Sequence, residues 1–73
     1  MRLGEAENWT GVLVAVRNVM GACVLQRASG DVILPVGTVC MILEVPGGRF
    51  SRAFVLSDTG LLGYVWEFEI ERI

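Results

Sequence analysis

The sequence predicts a small all-β domain of short antiparallel strands, and three observations carry that reading. Apolar residues come in short runs rich in Val, Ile, Leu and Phe, each bounded by Gly, Pro, Asp or Ser. Nowhere do they hold a 3.6-residue period for the roughly 10 residues a helix needs. The chain has 73 residues, enough for one domain. A chain of that size buries only about 60% of the surface its unfolded form exposes, so its stability is marginal.

Residues 1–8 are polar and mixed, and read as a flexible or peripheral lead-in to a single domain over residues 9–73. Residues 12–17 (VLVAVR) form the first strand, residues 18–21 a connection, and residues 22–27 (ACVLQR) the second strand. Ala28, Ser29, Gly30 and Asp31 make a turn, with glycine available for positive φ. Residues 31–34 give a short strand that Pro35 ends, because proline cannot donate to a ladder. Residues 38–45 (TVCMILEV) carry the strongest strand signal, between Gly37 and the Pro46-Gly47-Gly48 turn. Residues 52–57 and 61–66 flank Asp58-Thr59-Gly60. The closing EFEIERI alternates: if extended, Glu67, Glu69 and Glu71 share one face, an exposed ridge, and Phe68 and Ile70 the other.

Asp-Thr-Gly after an apolar run is also what a retroviral-type aspartic protease carries at its catalytic aspartate. Such a site needs two of these loops, whose carboxylates share a proton. It also needs a separate bracing element, and here Leu61-Leu62-Gly63 is contiguous with the motif. An early Asp bonding its own backbone and a late Gly at φ > 0 make a hairpin corner instead. Histidine is absent, so Cys-His and Ser-His-Asp arrangements cannot be built within the chain. Gly47-Gly48 lacks the lysine and helix of a phosphate loop. No catalytic residue is assigned, and no enzymatic activity or cofactor is expected.

Cys23 and Cys40 are the only cysteines, and two thiolates without histidine do not close a tetrahedral zinc site. Both lie in apolar runs, where a reduced cysteine behaves as a small buried hydrophobe. A disulfide between them would require their strands to pair, which the spacing does not fix. Met1-Arg2-Leu3-Gly4-Glu5 leads into acidic residues rather than an apolar signal core, so a reducing cytoplasm is the expected compartment.

The chain is 53% hydrophobic with mean hydropathy +0.59. A membrane span is still not expected, because Pro35, Gly37 and Thr38 interrupt the longest nearly uncharged run, which falls short of the roughly 20 residues required. Net charge is −2, the isoelectric point is about 4.9, and all six basic residues are arginine. Phosphate-holding domains usually have isoelectric points above about 9, so nucleic-acid binding is disfavoured. The alternative function is a nucleic-acid-associated or regulatory barrel in which Arg17, Arg27, Arg49 and Arg52 gather on one face.

The order PVGTVCMILE, a Gly-rich loop, RAFVLSDTG, LLGYVW and EFEIERI resembles the later part of SH3-like barrels. The resemblance implies five to six short antiparallel strands closing a barrel, with one helical turn near the C-terminus. Residues 46–51 would be the n-Src-type loop, residues 57–60 the distal hairpin, Gly63-Tyr64-Val65 the signature strand and residues 66–69 the helical turn. The family's proline-rich-peptide site needs an aromatic shelf that this chain alters. Phe50-Ser51-Arg52 stands where a tryptophan would be, Trp66 replaces a proline and Glu69 replaces a tyrosine. The eukaryotic opening motif is replaced by VLVAVRNVM. The likeness is therefore to bacterial and phage-type barrels, and the peptide function is not carried over.

Two surfaces remain as candidates. Phe50, Arg52, Tyr64 and Trp66 are the candidate binding residues for a protein partner or small ligand, as a shelf or an aromatic cage; the alternative is packing of Tyr64 and Trp66 at the barrel end. Three strands are apolar on both faces: residues 38–45, 12–16 and 53–56. One small barrel has one interior, so the second face is expected to pair two copies of the chain. A homo-oligomer, a dimer foremost, is expected through Leu13, Ile42, Phe54 and Leu56.

Overall fold

The computed structural model describes residues 9–17, 23–46 and 52–73. The expected lead-in over residues 1–8, the loop over residues 47–51 and the candidates Arg49 and Phe50 lie outside the described residues. Seven strands are present among those described: β1 (Leu13–Val16), β2 (Cys23–Leu25), β3 (Val32–Leu34), β4 (Val39–Glu44), β5 (Arg52–Ser57), β6 (Leu62–Trp66) and β7 (Ile70–Arg72). A 3-10 turn, Glu67–Glu69, separates β6 from β7. The fold is all-β with a short helical turn near the C-terminus, as the sequence predicts, with one more strand than the upper expectation.

Among the described residues all strand pairing is antiparallel. Five strands form one sheet in the order β6-β5-β4-β1-β7, and β2 and β3 form a separate hairpin. The β5–β6 hairpin is set by its corner. Ser57 N–H donates to Leu61 O, Gly60 N–H donates to Ser57 O, and Gly60 has φ +85°, a conformation that glycine adopts without strain. That corner places Leu56 opposite Leu62, Phe54 opposite Tyr64 and Arg52 opposite Trp66. Midway along β4 the register shifts between Ile42 and Glu44, a bulge that lets the strand bend between its two neighbours.

The β2–β3 hairpin folds across β6, where Gln26 and Tyr64 exchange both backbone hydrogen bonds at 2.9 Å. This close crossing requires Gly63. A Cβ there would lie 2.7 Å from Leu25 Cγ and 2.8 Å from Gln26 O. The core so enclosed contains Val14, Val16, Cys23, Leu25, Leu34, Cys40, Ile42, Ala53, Val55, Val65 and Ile70.

Two expectations are corrected. On β4 the inward face is Cys40 and Ile42, while Met41 points outward. Ile42 is fully buried and cannot be a surface contact. Both faces of β4 are apolar, so composition gave no sign of which would turn inward. The second correction concerns the acidic ridge. Glu67–Glu69 is a 3-10 turn, which breaks the two-residue alternation and swings Glu69 inward to 4% exposure.

Candidate functional site

Among the described residues Glu69 is held by backbone donors rather than by a cation. One carboxylate oxygen accepts from Trp66 N–H at 2.8 Å, and the other accepts from Val24 N–H at 3.0 Å. It thereby fixes β2 to the turn that follows β6, supplying an acceptor where strand pairing is missing. Cys23 lies beside it. Burial first, then the Glu69 carboxylate, pushes the Cys23 thiol up to about 12. Burial, then the Asp58 carboxylate, pushes Cys40 up to about 11. Both are free thiols in the core, the setting of inert rather than reactive cysteines.

Asp58 stands at the β5–β6 corner. Its N–H donates to Val39 O at 2.8 Å, and its carboxylate accepts from Val39 N–H at 3.2 Å, so it ties the corner to β4. The Ser57 hydroxyl adds a 2.8 Å contact to the Thr59 hydroxyl and accepts from Leu61 N–H. These partners account for the DTG motif as turn chemistry.

The outward side chains of the five-stranded sheet form two adjoining regions. In the first, register aligns Leu13, Met41, Leu56 and Leu62 across β1, β4, β5 and β6. Their exposures are 47%, 39%, 37% and 49%, so each presents a large apolar side chain to solvent. A depression of about 210 Å³ lies among Leu13, Met41 and Leu56.

In the second region, Arg52, Phe54, Tyr64 and Trp66 meet on β5 and β6. The Arg52 guanidinium lies 4.5 Å over the Tyr64 ring, and the Phe54 ring is 5.0 Å from Tyr64 at a 48° tilt. Arg52 also donates to the Gln26 side-chain oxygen at 3.4 Å. One face of Tyr64 thus already carries a cation, an attraction worth about 0.5–1 kcal/mol at an exposed site. A cavity of about 500 Å³ opens beside this cluster, between residues 26–29 of the β2–β3 hairpin and residues 60–64.

Of the residues singled out in the sequence, Arg52, Tyr64 and Trp66 do share one surface. Leu13 and Leu56 share the other, while Phe54 lies against Tyr64. Arg27 and Arg52 both adjoin Gln26, and Arg17 lies exposed at the end of β1. Sequence reasoning missed Met41, Leu62 and the β2–β3 hairpin wall of the cavity. Leu62 was within reach, because a three-residue corner with Gly last places it opposite Leu56. Among the described residues no cluster of three or more His, Cys, Asp or Glu could hold a metal ion, and no helix is long and apolar enough to cross a membrane. Compared with known proteins, the chain matches no family model, no curated sequence and no solved structure.

Proposed function

We propose that the chain is a small, non-catalytic SH3-like interaction module of the cytoplasm that self-associates and binds a further partner. The strand order β7-β1-β4-β5-β6 supports the SH3-like reading. So do the hairpin inserted between β1 and β4 and the 3-10 turn before the closing strand.

The observation that carries self-association is the in-register row Leu13-Met41-Leu56-Leu62. Four exposed large apolar side chains in line across four strands are not the isolated surface hydrophobes any protein tolerates. They form a contiguous patch of the kind that marks an interface. A two-fold pairing covers one such patch with its copy, and the buried area adds stability that a single marginal core lacks. Met41 takes the place that the sequence gave to Ile42.

Light scattering on the purified protein tests this. Twice the chain mass of 8.0 kDa is expected at micromolar concentration. A stable monomer there would overturn the dimer.

A further inference from the structure

β6 is the margin of the five-stranded sheet, and its pairing stops short. Antiparallel residues alternate in the direction of their N–H and C=O groups. Ser57 bonds Leu61 across the corner, so Leu62, Tyr64 and Trp66 direct their backbone groups away from β5. Tyr64 meets Gln26, and Trp66 N–H meets Glu69. Leu62 has no backbone partner on that side among the described residues. The hairpin that pairs at Gln26 turns away immediately afterwards, through Arg27 to Gly30, whose N–H donates to Arg27 O at 3.2 Å. The cavity of about 500 Å³ occupies the place where a paired strand would have continued.

The lining of that notch is apolar on the β6 side, with Phe54, Leu61, Leu62 and Tyr64, and basic on the hairpin side. Arg27 is the only Asp, Glu, Lys or Arg residue among the lining residues. Its Nε and Nη2 donate to the Ser29 hydroxyl at 3.2 and 2.6 Å, which leaves Nη1 without a partner among the described residues. The Asp31 carboxylate of the same turn accepts from Arg27 N–H at 3.3 Å. Arg52 stands behind Tyr64 as a second positive charge. An open strand edge, apolar footing and an arginine fork with donors to spare select an extended chain with alternating apolar and acidic side chains.

We infer that the notch between β6 and the β2–β3 hairpin is a strand-addition site for an extended acidic segment of a partner protein. The incoming backbone bonds the Leu62 N–H and C=O. An apolar side chain settles on Phe54, Leu61 and Tyr64, and a neighbouring carboxylate meets Arg27. This inference rests on the reading of the chain as an interaction module and names the partner's chemistry.

The test uses the full-length ¹⁵N-labelled protein and a capped hexapeptide of alternating glutamate and valine. The expected result is that the peptide shifts the Leu62, Tyr64 and Ala28 amide resonances and slows exchange at Leu62 N–H. Arg27→Gln should weaken binding by about tenfold and Arg27→Glu by more, as loss of a charge-assisted contact would. N-methylation of the peptide on the residues facing β6 should abolish it. The inference is overturned by no shift at millimolar peptide, by equal binding of the lysine-valine counterpart, or by undiminished binding of the N-methylated peptide. It is equally overturned if an oligothymidylate gives those shifts and the peptide does not, or if Leu62 N–H becomes protected with rising protein concentration alone, which would assign the edge to a second copy. Light scattering on the same sample separates the two readings: an intact dimer that ignores the peptide removes this site and leaves the self-associating module standing.

Discussion

The two faces of the five-stranded sheet are built from nearly the same residues and meet opposite fates. On the inner face Val14, Cys40, Ile42, Val55 and Val65 are covered by the β2–β3 hairpin and by one another. On the outer face Leu13, Met41, Leu56 and Leu62 are as apolar, yet each stays more than a third exposed. The difference shows that apolarity does not by itself assign a residue to a core. Enclosure does, and among the described residues the one hairpin that lies outside the five-stranded sheet, β2–β3, encloses one face.

The sharpest way to break that comparison is to place the same charge on neighbouring residues of β4. Ile42→Glu buries an unpaired carboxylate, at a cost that rivals the whole 5–15 kcal/mol stability of a typical domain. Circular dichroism should show it unfolded. The milder Ile42→Ala should cost about 2–5 kcal/mol. Met41→Glu, one residue away, should stay folded and halve the mass seen by light scattering. A folded Ile42→Glu variant, or a Met41→Glu variant that keeps the wild-type mass, would dissolve the distinction between the faces.

Next in size is the enclosure itself. Glu69→Ala strands the Val24 and Trp66 N–H groups, each worth about 1–3 kcal/mol when left unsatisfied. Denaturant midpoints should fall accordingly, and the Val24 amide should exchange faster. An unchanged midpoint would mean that the hairpin is held over the core without this carboxylate.

Alkaline pH probes the inner face through its thiols. In the unfolded chain Cys23 and Cys40 ionise near 9, whereas the folded protein keeps Cys40 protonated to about 11 and Cys23 to about 12. Because the folded values are raised, this contribution to stability is fully present below pH 9 and is lost as pH rises toward 11 and 12. The loss approaches about 1.4 kcal/mol per pH unit for each thiol. Chemical denaturation between pH 8 and 11 should show that slope, and a double Cys→Ala variant should flatten it. Equal slopes in the two proteins would place the thiols outside the core.

The smallest effect is expected at the rim. Asp58→Asn retains a carbonyl oxygen for Val39 N–H and a side chain suited to a turn, so stability should change by no more than about 0.5 kcal/mol. Removing the carboxylate beside Cys40 should lower that thiol's pKa toward the ordinary value, read from its ultraviolet thiolate absorbance. Loss of the fold would show that the corner depends on the charge.

The sequence by itself determined the strands, the corners and the absence of a helix-forming period. These follow from local chemistry: β-branched runs, proline without a donor, and glycine at positive φ in the Asp58-Thr59-Gly60 corner. It also carried the presence of two apolar faces and the grouping of Arg52, Tyr64 and Trp66, since residues two apart on a strand share a side. Tertiary structure alone decided which face was inner, and it did so at Gly63, where the missing Cβ lets Leu25 and the β2–β3 hairpin settle against β6. The same crossing turned Glu69 inward to hold Val24, and it left Leu62 facing an open notch. No local signal encodes such outcomes, because they depend on contacts between residues about 40 positions apart, such as Leu25 with Gly63 and Val24 with Glu69. Their energies exist only once the chain has closed on itself.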